Sequence, residues 1–192
     1  LKLACADLDA CGVPYALVGG LAVSARCEPR FTRDLDLAVA VEGDLEAEQL
    51  VSSLIARGYQ VMAQVEQEQT GRLATARLLP PRSRVSEGIV VDLLFASSGV
   101  EAELVAAADR LEVFPGVEVP TARRSHLIAM KILSMDPATR PQDRLDAINL
   151  AREADADEIA EVKAVLELIT SRSCQRDKDL AAELDDLLTG LS

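Results

Sequence analysis

Asp34-Leu35-Asp36-Leu37-Ala38-Val39-Ala40-Val41 is the stretch on which the fold turns. Leu35, Leu37, Val39 and Val41 fall on one face and Asp34 and Asp36 on the other, the period of two that marks a half-buried strand. Upstream, Tyr15 to Val18 is a short apolar run ending in Gly19-Gly20, and Leu21 to Cys27 has the small and apolar content of a helix launched by that turn. A strand, a glycine turn and a helix therefore lead into the acidic strand. Further upstream, residues 1–11 read as a helix with Gly12 at a left-handed C-cap and Pro14 just beyond.

Downstream, Glu46 to Arg57 forms an amphipathic helix ending at Gly58, and residues 59–66 and 72–79 read as strands around Thr70-Gly71. After Pro80-Pro81 comes Ile89-Val90-Val91-Asp92-Leu93-Leu94-Phe95, an apolar strand interrupted by one carboxylate. Residues 100–110 read as helix and 111–119 as short strand or loop. From Thr121 onward no strand is expected: Thr121 is a candidate N-cap for a helix to about Met135, followed by helices near 141–153, 156–172 and 176–190. The last carries Leu180, Leu184, Leu187 and Leu188 on one stripe. This order predicts an α/β (α+β) core over residues 1–120 and a helical region over 121–192, with no internal repeat.

The chain has 192 residues, 49% of them apolar and 27% charged, enough to bury one core and too few for two full-sized domains. No run approaches the roughly 18 apolar residues of a membrane span, and no leader-like segment is present, so the expected location is cytoplasmic. The chain opens on Leu1 rather than Met, which leaves open what precedes it. A net charge of −12 disfavours a general nucleic-acid coat protein. Residues 151–192 hold 11 acids and 5 bases, whereas 69–86 hold Arg72, Arg77, Arg82 and Arg84 and no acid, either a local anion-binding face or a solvated hairpin. Cys5, Cys11, Cys27 and Cys174 include no C-x-x-C pair and read as reduced apolar filler; His126 reads as surface or core filler.

Two aspartates at i and i+2 of a strand point the same way, their Cα atoms roughly 7 Å apart. Crowded carboxylates raise one another's pKa, and a hard divalent cation cancels that repulsion, which favours Mg²⁺. If the strand carrying Asp92 lies alongside, a third oxygen donor joins, and two cations roughly 4 Å apart become feasible, the arrangement used for in-line phosphoryl displacement. Taken alone, D-x-D also fits an edge strand turned to water, and Gly19-Gly20 an ordinary tight turn. Asp92 interrupting an apolar run and a glycine turn opening a helix, where backbone N–H groups grip phosphates, weigh the other way.

Val18-Gly19-Gly20-Leu21-Ala22-Val23 followed by Arg30-Phe31-Thr32-Arg33-Asp34-Leu35-Asp36-Leu37 resembles the signature of polymerase-β-like nucleotidyltransferases, and most nearly the AbiEii/AbiGii-type group. The resemblance extends through Val91-Asp92-Leu93-Leu94, Leu127 to Leu133 and Arg140-Pro141-Gln142-Asp143-Arg144-Leu145-Asp146, covering roughly residues 13–150. It implies a small mixed sheet with flanking helices, a helical C-terminal region, and Mg²⁺-dependent transfer of a nucleoside monophosphate from an NTP, with two Mg²⁺ ions. Carried over, Asp34 and Asp36 would bind the metals holding the triphosphate and Asp92 the metal that activates the acceptor. Gly19, Gly20 and Arg33 would contact nucleotide, and Lys131 would neutralise triphosphate charge. Arg140, Asp143 and Asp146 match a later motif. Leu21 departs from the serine or threonine of many relatives, whose hydroxyl touches the triphosphate.

The resemblance implies a toxin–antitoxin nucleotidyltransferase acting on tRNA or a protein, with a cognate antitoxin as partner and no membrane association. Two alternatives stand beside it. One is a transferase for a small cationic acceptor of the aminoglycoside kind, which an acidic surface would suit. The other is a non-catalytic binding protein on the same fold.

Overall fold

The structure, a computed structural model, describes residues 1–29, 31–32, 34–67, 71–81 and 89–191. Helix α1 (Lys2–Cys11) stops at Gly12, whose φ of 70° is the left-handed cap that glycine adopts without a Cβ penalty. Strand β1 (Tyr15–Val18) follows, buried along its whole length, and runs directly into α2 (Gly19–Arg26). Strand β2 (Asp34–Val39) pairs antiparallel to β1. It stops two residues short of the Val41 expected from the alternation, because the Ala40 N–H turns to the Pro14 carbonyl as the chain leaves for α3 (Asp44–Ala56).

A hairpin of β3 (Gln60–Glu66) and β4 (Leu73–Leu79) comes next, then β5 (Val90–Leu94), parallel to β2. The expected turn residue Thr70 lies outside the described residues. Helix α4 (Glu101–Ala106) is shorter than the sequence suggests. Asp109 already belongs to β6 (Asp109–Phe114), which forms a hairpin with β7 (Val117–Thr121) through a turn at Gly116. Thr121 is therefore a strand residue rather than a helix cap: its hydroxyl donates to the Val119 carbonyl, and α5 (Arg124–Ser134) starts after Arg123.

The seven strands form one mixed sheet in the order β3-β4-β5-β2-β1-β7-β6, which places β2 and β5 at its centre. Leu35 and Leu37 of β2, Val91 and Leu93 of β5, and Ala76 and Leu78 of β4 share one face and are buried. The clean alternation of β2 is thus the signature of a strand whose second face lines a cleft.

Helices α6 (Pro141–Arg152), α7 (Ala156–Ser171) and α8 (Leu180–Thr189) complete the chain. Asp155 and Glu158 make a reciprocal capping box on α7, and Asp179 caps α8 through the Ala182 N–H. The last helix begins at Leu180, not near 176, because Arg176 and Asp177 take left-handed backbone with φ of 55° and 58°. Lys178 Nζ reaches the Ile132 and Met135 carbonyls at the end of α5, where a cation satisfies otherwise unpaired acceptors. Leu180, Leu184 and Leu187 are buried as the stripe predicts. All four cysteines are free. His126 is buried, where desolvation pushes its pKa down, and it fills core.

Candidate active site

Register decides which side chains meet. In the parallel β2–β5 pair Asp36 stands opposite Asp92, and in the antiparallel β4–β5 pair Arg77 stands opposite Asp92. Partners in register project from the same face, so Asp34, Asp36, Asp92 and Arg77 all rise from one side of the sheet centre. They line a cavity of about 970 Å³, together with Gly19, Gly20, Lys131, Arg140 and Asp143. The three acids read from the sequence therefore share one surface, and the Gly19-Gly20 turn borders it.

Gly19 is bound to this arrangement by sterics. Its φ is 63°, and a Cβ built there would lie 1.9 Å from Asp36 Oδ2. The Gly20 backbone amide lies close enough to the Asp36 carboxylate to favour its charged form. In this structure the turn thus cradles a carboxylate of its own sheet. Burial is the main cause that raises the Asp36 pKa, to about 6; Asp92 and then Asp34 add repulsion, against relief from Lys131 and the Gly20 amide.

Asp92, whose side chain is only 8% exposed, is held by Arg77 with both forks: Nε lies 2.8 Å from Oδ1 and Nη2 2.6 Å from Oδ2. The same Nη2 is 3.8 Å from Asp34. Hydrogen bonding to Asp92 in turn raises the Arg77 pKa above its ordinary value. The hairpin arginines do not form one free face. Arg77 belongs to the cleft floor, Arg72 pairs with Asp44 at 3.4 Å, and Arg82 and Arg84 lie outside the described residues, as do Arg30 and Arg33.

Lys131, on the last turns of α5, is buried with its Nζ 2.6 Å from Asp143 Oδ1 and 2.8 Å from Asp146 Oδ2. The later motif therefore has a structural account: the i and i+3 acids of α6 lie on one helix face and present two carboxylates to one ammonium. Ser134 Oγ donates to the second Asp143 oxygen, and Arg140 approaches that oxygen at 3.8 Å. Removing the ammonium takes from these two buried carboxylates the cation they share. Lys131→Met is expected to lower the unfolding free energy by about 3 kcal/mol, read by urea melts. A stability unchanged within error would show that the carboxylates find other partners.

The sequence places neither Arg77 nor Arg176 in this cleft, Arg77 being read there only among four arginines of an anion-binding face or a solvated hairpin. Arg77 looks like any hairpin arginine until the β4–β5 register is known. Arg176 reaches the cavity wall from the α7–α8 connection, its Nη2 donating to the Ser97 carbonyl at 2.8 Å and approaching Ser97 Oγ at 3.3 Å.

Oxygen donors on one face, one of them pushed toward its protonated form by burial and by its acidic neighbours, suit a hard divalent cation. The fit is uneven. Asp34 is half exposed and free to meet such an ion and Asp36 lies partly buried beside it, whereas both Asp92 oxygens are taken by Arg77. Among the described residues no group of three His, Cys, Asp or Glu side chains is arranged to hold a metal ion.

The mixed sheet with its flanking helices has the polymerase-β-like nucleotidyltransferase fold of its structural neighbours. A family model described as the nucleotidyl transferase AbiEii toxin of type IV toxin–antitoxin systems matches residues 3–190, and the chain belongs to that family. It is thereby a nucleotidyltransferase. Among solved structures it is similar to the antibiotic-resistance factor ANT(2'')-Ia, at 21% identity with 88% of each chain covered and a TM-score of 0.54. The same enzyme in complex with adenylyl-2''-tobramycin matches at 16% identity, 88% of this chain, 93% of that one and a TM-score of 0.54. Both likenesses concern the fold. No curated protein matches the chain. Among the described residues no helix is long and apolar enough to cross a membrane.

Proposed function

We propose that the cleft transfers a nucleoside monophosphate from an NTP to an acceptor hydroxyl, as a cytoplasmic toxin that a cognate antitoxin restrains. The observation that carries the reading is the in-register placement of Asp36 beside Asp92 on the sheet face that also bears Asp34. Residues 1–120 act as the nucleotidyltransferase core and 121–192 as the helical region that closes the cleft through Lys131, Arg140 and Asp143.

Asp34 and Asp36 would hold Mg²⁺ with the NTP, and Asp92 would hold a second ion toward the acceptor. When bound, Mg²⁺ neutralises developing charge on phosphoryl oxygens and lowers the pKa of a coordinated hydroxyl. The acceptor oxygen loses its proton and bonds the α-phosphorus while the α,β-bridging bond breaks and pyrophosphate leaves. Gly19 lets the turn approach Asp36 closely enough to fix that carboxylate. Gly19 and Gly20 border the phosphate position, and Lys131 with Arg140 stands on the opposite wall, where nucleotide phosphates would compete with Asp143 and Asp146 for their charge; Arg33 is assigned a nucleotide contact from the family resemblance alone. Leu21 brings no hydroxyl, so triphosphate contacts at this turn fall to backbone amides.

The acceptor we favour is tRNA, with protein second, on the strength of the toxin family. A small cationic acceptor is the alternative that the fold likeness to ANT(2'')-Ia favours, and a non-catalytic binder is the reading in which no transfer occurs. The deciding experiment incubates the protein with Mg²⁺ and each labelled NTP in the presence of total tRNA, lysate protein or an aminoglycoside mixture. Label on tRNA that declines as salt rises from 50 to 200 mM, reflecting released counterions, is expected. Label on the aminoglycoside alone replaces the favoured acceptor, and no label together with no nucleotide binding by calorimetry overturns the enzyme reading.

A further inference from the structure

Asp92 and Arg77 present a difficulty for a cleft that must gather cations on three carboxylates. The guanidinium fork takes both oxygens of Asp92, the positions through which a carboxylate would hold a hard ion. The pairing is built into the sheet, since the β4–β5 register sets the two residues opposite one another. A buried carboxylate needs a counter-charge while no ligand is present, and arginine supplies one that does not deprotonate. Asp34, by contrast, meets Arg77 only at 3.8 Å and so keeps oxygens for another cation, with Asp36 two residues along the same face of β2.

We propose that Arg77 reserves Asp92 in the nucleotide-free protein. The cleft then takes up a single divalent ion, at Asp34 and Asp36, and admits a second at Asp92 only when the polyphosphate of an incoming NTP draws the guanidinium away. The inference rests on the nucleotidyl-transfer reading and adds an order of loading to it. The exchange conserves charge pairing. Phosphoryl oxygens offer the planar fork the same two-point geometry as a carboxylate, and the second ion replaces it at Asp92. Arg77 has the room to make this move: its side chain is 46% exposed, whereas that of Asp92 is 8% exposed. The acceptor-side position thus stays closed to metal until nucleotide is in place, so water and acceptor are not activated at a cleft that has nothing to transfer.

Mn²⁺ is the probe, counted from the electron paramagnetic resonance signal of the free ion at saturating concentrations. The full chain is titrated with and without α,β-non-hydrolysable analogues of the four ribonucleoside triphosphates. The wild type is expected to bind one ion per chain alone and two with the analogue that fits, and Arg77→Met to bind two without any analogue. Two ions on the wild type without nucleotide overturn the inference and leave nucleotidyl transfer standing. So does a single ion on a folded Arg77→Met. Should circular dichroism show that Arg77→Met does not fold, the wild type decides by itself: an equal count with and without every analogue overturns the inference. No ion under any condition overturns both the inference and the metal-dependent reading beneath it.

Discussion

Gly19→Ala is expected to abolish nucleotidyl transfer while leaving a folded protein. At φ of 63° an alanine is strained by about 1–2 kcal/mol, and its methyl would sit 1.9 Å from Asp36 Oδ2 and 2.5 Å from Cγ. The cheapest relief is to displace the Asp36 side chain, and a shift of about 1 Å in a catalytic group costs on the order of 10²-fold in rate. Gly12→Ala is the matched control. It carries the same left-handed penalty at φ of 70°, but no heavy atom lies within 4 Å of the added Cβ. Denaturant melts should therefore show both variants destabilised, with Gly19→Ala lower, and transfer assays should show only Gly19→Ala inactive. Equal activity in the two variants would mean that the turn does not position Asp36.

Asp36→Asn is expected to abolish transfer and at the same time to stabilise the metal-free protein near neutral pH. The folded carboxyl titrates at about 6 against an ordinary 3.8, chiefly because burial and the Asp92 charge disfavour its ionised form. The folded state therefore holds this proton more tightly than the unfolded chain. The stability it contributes is complete below about pH 4 and lost as pH rises through about 6. At pH 7 the wild type carries a penalty of order 1–3 kcal/mol that the neutral amide avoids. Unfolding measured in EDTA between pH 4 and pH 8 should show a decline in the wild type and a flatter profile in Asp36→Asn. Added Mg²⁺ should raise the melting temperature of the wild type and not of the variant. Loss of transfer by at least about 10²-fold accompanies the gain in stability, the exchange expected where charges are crowded for a task. A variant less stable than the wild type at pH 7 in EDTA would show that Asp36 is a structural partner rather than a strained ligand.

Much of this site was legible because strand chemistry is local. A period of two across residues 34–39, with carboxylates on one side, announces both the buried face and the cleft face of β2, and a lone acid within an apolar run makes the same statement for β5. The glycine turn was legible for the same reason, since a positive φ falls most readily to a residue without a Cβ. What escaped were relations fixed by pairing. Arg77 enters the site through the register of a hairpin against β5, and Lys131 meets Asp143 and Asp146 through the packing of two helices, neither of which leaves a mark at those positions. Thr121 misled because threonine serves equally well as a helix cap or a β-branched strand residue, and the pairing with β6 and with Leu17 of β1 settled the contest. The late start of α8 had no warning either, because left-handed backbone at Arg176 and Asp177 is set by the turn they close, not by their own preference.

Strand β3 forms one margin of the sheet, and all seven of its residues are exposed, with Val61, Met62 and Val65 among them. Among the described residues no strand pairs with its outer row of amides and carbonyls, a template to which a neighbouring copy of the same polypeptide can add one. Molecules that each carry a charge of −12 repel one another, which opposes such pairing. That repulsion has a range of about 10 Å at 0.1 M salt and about 3 Å at 1 M, so edge-to-edge association is expected to grow as salt is added.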